Sequence, residues 1–265
     1  MGDEYTALRI EREGAAARLL MNRPEALNAF DAALRREMLQ AIESLNSDEG
    51  VRVVILAGEG RAFCAGADLA EGIGDGHGAG LHTEQMLNRE YKPAIMAIAE
   101  APKLWIAEVQ GAAAGIGSAF AMACDLMVMS EDAYLYQAFA AIGLIPDGGA
   151  TWQLLRAVGR RRALEIIVGG ERLPAPRCLE LGLCNRVTSL EALAGETRSW
   201  AAKLSEKAPL AMRYSKLALA GADGLSLGET ISAEATLQHI LVESEDCREG
   251  VSAFFEKRAP RFTGR

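Results

Sequence analysis

The segment Val51-Arg-Val-Val-Ile-Leu56, closing at Gly58, narrows most sharply what this chain can become. A strand with one wet face alternates apolar and polar residues. A near-continuous apolar run needs cover on both faces, as in a parallel sheet held between helices. Segments 104–109 and 126–129 read as further strands, and residues 5–12 and 15–22 as a hairpin turning at Glu13–Gly14. Between them, 31–46 reads as an amphipathic helix, with Asp31 as N-cap and Leu34, Met38, Ile42 and Leu45 on one face. Strand–helix–strand alternation of this kind predicts crossover units and a largely parallel sheet.

After about residue 150 the pattern becomes helical. Helices are predicted over 150–157, 160–168, 175–181, 190–206, 208–220 and 226–242, with one short extended piece near 184–188. The expected fold class is therefore α/β, with a helical C-terminal region. The division drawn is a core over 1–200 and a helical part over 201–265.

Composition excludes several function classes. A net charge of −8 argues against nucleic acid or an anionic membrane as the main partner. No apolar stretch approaches the roughly 20 residues that a membrane-spanning helix requires, and MGDEYTALRIEREG lacks the pattern of a secretory signal. The five cysteines are odd in number with no Cys-x-x-Cys pair, which disfavours disulfides and a metal site and points to a cytoplasmic location.

Two glycine-containing turns carry the chemistry. Arg61-Ala-Phe-Cys-Ala-Gly-Ala-Asp-Leu69 follows the strand 51–57, and Gly111-Ala-Ala-Ala-Gly-Ile-Gly117 follows 104–109 and opens a helix through Ala123. Small residues let backbone approach a ligand closely, and the first N–H groups of a helix are unpaired donors at its positive end. Alone, each turn reads equally as a tight strand-to-helix connection. The second lacks the third glycine of a dinucleotide fingerprint, since Phe120 stands there.

Five collinear segments together resemble the crotonase (enoyl-CoA hydratase/isomerase) superfamily. They are Asn22-Arg-Pro-Glu-Ala-Leu-Asn28, Ala62-Phe-Cys-Ala-Gly-Ala-Asp68, Gly111 through Asp125, Ile142-Gly-Leu-Ile-Pro-Asp147 and Glu249-Gly-Val-Ser-Ala-Phe-Phe-Glu-Lys-Arg258. The resemblance implies a spiral of ββα units whose helical C-terminal region forms a trimer or a dimer of trimers. It implies an acyl-CoA substrate, with no cofactor beyond the coenzyme A that the substrate carries. It also implies that the Ala67 and Ile116 N–H groups form an oxyanion hole, with Ile116 standing where the family usually has glycine. Ala26, Leu27, Ala65, Asp68 and Leu69 fall along the implied CoA track, and Phe254 and Lys257 would close it, often from a neighbouring subunit.

Family hydratases use two glutamates, and the matching positions here are Ala119 and Phe139. Neither side chain transfers protons, so hydration by the two-acid route is not expected. From the residues alone, Pro146-Asp-Gly-Gly149 reads first as a turn in which Asp147 caps the next helix. The resemblance reverses that order. Gln137-Ala-Phe-Ala-Ala-Ile-Gly-Leu-Ile-Pro-Asp147, followed by Thr151-Trp152, is similar to the ring-epoxyphenylacetyl-CoA isomerase branch, which uses an aspartate at this place. That branch usually has Ser-Gly-Gly where this chain has Gly148-Gly149-Ala150.

The expectation is thus a 1,3-proton shift with Asp147 as acid and base. The alternatives are hydration by atypical groups, a dehalogenase in which Asp147 is the nucleophile, and a non-catalytic acyl-CoA-binding protein. Walls of the acyl pocket are expected from 70–90 and 135–145, and His77, His82 and His239 are given no role. Glu71–Gly80, with its many glycines, reads as a surface loop or a lid.

Overall fold

A computed structural model describes residues 5–71 and 78–265. The strands are β1 (Leu8–Glu13), β2 (Ala16–Met21), β3 (Val53–Gly58), β4 (Leu104–Val109), β5 (Ala112–Ala114), β6 (Leu126–Ser130), β7 (Tyr134–Tyr136), β8 (Arg172–Pro174) and β9 (Arg186–Thr188). The helices are α1 (Ala32–Ser47), α2 (Ala79–Met86), α3 (Lys92–Ala99), α4 (Ile116–Ala123), α5 (Ala150–Gly169), α6 (Ala175–Glu180), α7 (Leu190–Ser205), α8 (Pro209–Ala222), α9 (Leu227–Val242) and α10 (Glu245–Glu256).

The main sheet runs β1-β2-β3-β4-β6-β9 and a smaller one β5-β7-β8. Only the hairpin pair β1–β2 and the pair β7–β8 are antiparallel. Strands of the two sheets alternate along the chain, β4 then β5 and β6 then β7, so it climbs as a spiral of strand–strand–helix units.

The apolar run of β3 is covered on both faces, as its composition requires. Val54 and Leu56, with Trp105, Ala107 and Val109 of β4, face the large core built on α1, α3 and α4. Val53 and Ile55, with Ile106 and Val128, face Leu193 and Ala201 of α7. Asp31 caps α1 as its sequence position predicts, its carboxylate accepting from Leu34 N–H at 2.8 Å.

The sequence misses three features. Residues 79–99 form α2, a π-helical turn Leu87–Tyr91 and α3, a region without a clear apolar period. The glycine turn 111–117 contains β5, whose pairing with β7 only the folded chain supplies. The strand β8 at Arg172–Pro174 is unforeseen, whereas the two helices predicted at 150–157 and 160–168 are both present and meet at a break at Gly159, with φ 75° and ψ 163°. Residues 72–77 of the glycine-rich stretch, including His77, lie outside the described residues.

The C-terminal helices are tied to the core through Lys216 of α8. Its Nζ lies 2.9 Å from Asp125 Oδ2 and donates to the Ile98 carbonyl at 2.8 Å. That internal pairing leaves Lys216 no free charge for a CoA phosphate. Burial pushes the Asp125 carboxyl up, and the Lys216 ammonium opposes it. Removing one partner of a buried pair strands the other charge, so Lys216→Met should cost about 3 kcal/mol, read as a lowered denaturant midpoint. An unchanged midpoint would show that α8 docks without this pair. No helix among the described residues is long and apolar enough to cross a membrane.

Candidate active site

The site is assembled where β3 and β4 end. The loop after β3 passes back along β5: Cys64 N–H donates to Ala112 O at 2.9 Å, and Ala114 N–H to Cys64 O at 2.9 Å. The loop also meets the chain after β2, where Phe30 N–H donates to Gly66 O at 2.8 Å and Asp68 N–H to Phe30 O at 3.0 Å. These two ladders hold 64–68 as a strap between the Asn22–Asn28 turn and α4.

Asn28 anchors that strap. Its φ is 56°, its side chain is fully buried, and Nδ2 donates to Glu59 O and Ala62 O at 2.9 and 2.8 Å. Left-handed backbone suits asparagine better than most side chains, so the Asn at the end of the Asn22-Arg-Pro-Glu-Ala-Leu motif has a structural cause. Asp68, expected along the CoA track, is held 3.1 Å from Arg23.

Two backbones touch at the centre. Gly66 has φ 108° and Gly115 φ 51°, and a Cβ on either would sit 3.8 Å from the other's Cα. Just after these glycines come the N–H groups of Ala67 and Ile116, neither hydrogen-bonded among the described residues. Ile116 is the first residue of α4, where an unpaired donor is expected. Gly117 lets α4 come this close, because a Cβ there would stand 2.7 Å from both Cβ and Sγ of Cys64.

A cavity of about 210 Å³ opens at this junction. Ala65, Ala67, Asp68, Leu69, Ile116 and Asp147 all line it, as the sequence reading expects for one site. Ala26 and Leu27 sit beside it in the Asn22–Asn28 turn, with Leu27 O accepting from Ala65 N–H at 2.9 Å. Phe254 and Lys257 are elsewhere: Phe254 lies on α10 with 79% of its surface exposed, and Lys257 caps that helix at φ 55°. Neither lines the cavity of its own chain.

Asp147 does not cap α5. The N-cap is Gly149, without a side-chain bond, and Asp147 contributes only its carbonyl, accepting from Ala150 N–H at 3.0 Å. Its Oδ1 is buried with no hydrogen-bond partner. Burial raises the carboxyl from its ordinary range to about 6, against a smaller opposing pull from its own backbone N–H.

Ala119 is fully buried and Phe139 is an aromatic wall. A Cβ on Gly148 would sit 2.4 Å from Ile116 Cδ1 and 2.8 Å from Ala119 Cβ. The isoleucine in the second turn and the glycine after Asp147 are therefore one packing solution, and together they hold the Asp147 loop against α4. Glu108 of β4 pairs with Arg18 at 2.5 Å. Strand alternation puts it with Ile106, on the α7 side of the sheet.

Sequence reasoning missed Arg35 and Tyr91, which line the cavity together with His82, a residue inside the expected 70–90 wall that was given no role. Arg35 and Tyr91 come from α1 and the π turn, and the face each presents depends on packing that no local pattern reveals.

The model of one protein family, described as enoyl-CoA hydratase/isomerase, matches residues 11–265. The chain belongs to the enoyl-CoA hydratase/isomerase family of acyl-CoA enzymes. It is 38% identical over 261 residues to a probable enoyl-CoA hydratase of Rhodobacter capsulatus, covering 98% of this chain and 99% of that one. It is 35% identical over 247 residues to the 1,2-epoxyphenylacetyl-CoA isomerase of Escherichia coli K12, covering 93% and 94%. Among solved structures, an enoyl-CoA hydratase from Polaromonas sp. JS666 is similar at TM-score 0.92 and 32% identity, covering 97% of this chain and all of that one. The spiral expected from the resemblance is the fold of this enzyme family.

Proposed function

We propose that this family member isomerises unsaturated acyl-CoA thioesters by a 1,3-proton shift. In this reading the Ala67 and Ile116 N–H groups hold the thioester oxygen as the enolate forms. Asp147 takes a proton from one carbon of the acyl chain and returns it to another. A donor aimed at a developing oxyanion is worth ~3–4 kcal/mol, and both Ala67 and Ile116 line the cavity.

The observation that carries the proposal is the carboxyl inventory of the cavity. Asp68 is paired with Arg23 and Glu71 with Arg35, while Phe139 on the wall and the buried Ala119 carry no ionisable group. Asp147 is half-buried with its Oδ1 enclosed, and burial poises it near 6, where both protonation states are accessible at neutral pH. One base suffices for a proton shift, whereas hydration by the family's usual route needs two acids. The names of relatives pull toward hydratase as well as isomerase, so the experiment must separate them. Incubation with a panel of 2- and 3-enoyl-CoA isomers, read by mass spectrometry, should give products of unchanged mass. Gain of water from crotonyl-CoA as the main outcome would replace isomerisation with hydration. Tight acyl-CoA binding without turnover across the panel would support a binding protein instead.

A further inference from the structure

Asp147 Oδ1 is not the only stranded polar atom at the cavity. The hydroxyl of Tyr91 is also buried with no hydrogen-bond acceptor among the described residues, on a residue 2% exposed. A buried phenol normally finds an acceptor, because leaving it unpaired forfeits about 1–3 kcal/mol. Tyr91 closes the π-helical turn Leu87–Tyr91, a local widening of the helix that recurs at functional sites. Its ring is fixed edge-on to Phe30, centroids 5.6 Å apart, and lies 6.5 Å from Phe120.

The groups electrostatically coupled to Tyr91 are Arg35, Asp147 and Cys64. Arg35, which holds Glu90 at 2.7 Å and Glu71 at 3.1 Å and also bonds the phenol oxygen, has only donors and cannot take the phenol's proton. Cys64 is a neutral thiol, already donating to Asn28 O at 3.1 Å and accepting from Gly66 N–H at 3.4 Å. Asp147, with an orphaned oxygen, is the remaining acceptor. The other charged or titratable groups on the cavity wall are Asp68, Glu71 and His82. Asp68 is held by Arg23, and His82 is exposed.

We propose that Tyr91 is the positioning residue for Asp147: its hydroxyl donates to Oδ1 when the carboxylate ionises, fixing the group so that Oδ2 faces the acyl chain. The inference rests on the reading of Asp147 as the base, and it adds the partner that orients it. A donor to the ionised form favours that form, so its loss must raise the carboxyl further above its ordinary value.

The test follows the Asp147 carboxyl directly. An infrared difference titration, each protein measured against its own Asp147→Asn control, isolates the protonated band of this residue. The native midpoint should lie near 6, and Tyr91→Phe should move it up by about one pH unit. Replacing the tyrosines biosynthetically with 3-fluorotyrosine, a more acidic phenol and stronger donor, should move it down without deleting any atom from the core. A midpoint unmoved by both changes, or lowered by Tyr91→Phe, overturns the proposal. The titration needs no substrate, so its failure is distinct from failure of the isomerase reading, which the enoyl-CoA panel decides.

Discussion

Replacing Asp147 with Asn should lower isomerase turnover on the order of 10³-fold while leaving the affinity for an unreactive acyl-CoA analogue nearly unchanged. Asparagine keeps the shape of the side chain and its burial but accepts no proton from carbon. The CoA track implied by the resemblance lies on the Asn22–Asn28 turn and the 64–69 strap, which the change does not touch. Retained turnover would remove Asp147 from the mechanism, and with it the case for a single-base shuttle. In the native enzyme, kcat/KM should fall below a limb near pH 6, because the base must be ionised and burial has raised it to about 6.

The same substitution should make the protein more stable at neutral pH. Folding raises the Asp147 carboxyl above its unfolded value, so ionising it costs the folded state free energy. That cost is absent at pH below the unfolded value, grows between there and about 6, and is full above it. Asparagine escapes it, and the gain should be about 1–2 kcal/mol near pH 7, vanishing in acid. A melting temperature that fell at neutral pH would contradict a carboxyl that burial has raised. A functional group that destabilises its own fold is a common trade at active sites.

Gly117→Ala should damage packing and turnover together. The added Cβ would stand 2.7 Å from Cβ and Sγ of Cys64 and 2.8 Å from its carbonyl oxygen. The Cys64 backbone cannot yield, since its N–H and C=O are both bonded to β5. Helix α4 must therefore lift from the strap, carrying the Ile116 N–H away from that of Ala67. Overpacking of this kind costs about 2–3 kcal/mol, and a misplacement approaching 1 Å at the reacting centre costs about 100-fold in rate. Denaturant midpoint and turnover should fall together. A variant with native stability and native turnover would mean that the two loops are not in rigid contact.

Much of the architecture could be read from local pattern. The both-sided apolar run of 51–56 demanded a covered, parallel strand, and Asp31 ahead of the Leu34, Met38, Ile42 and Leu45 stripe marked α1. Both are signals of short range, dictated by chain periodicity and by the unpaired donors at a helix start. The candidate site was legible only through several motifs at once, because a glycine turn by itself is ambiguous between tight packing and ligand approach. Pattern alone favoured Asp147 as a helix cap, and the structure places Gly149 there instead.

What the tertiary structure decided are the relations between segments far apart in the chain. Ile116 and Gly148 each look like a departure from the family pattern. Folded, they fill one another's space, and no local rule links two positions 32 residues apart, 148 less 116. Tyr91 and Arg35 reach the cavity because α1 and the π turn pack side by side, a choice of face that polar and apolar period leaves open. The glycine turns were set by the sequence itself, since positive φ and close approach are demands on single residues. Which side chains line the cavity around them depended on long-range packing, where burial energy rather than local propensity selects the arrangement.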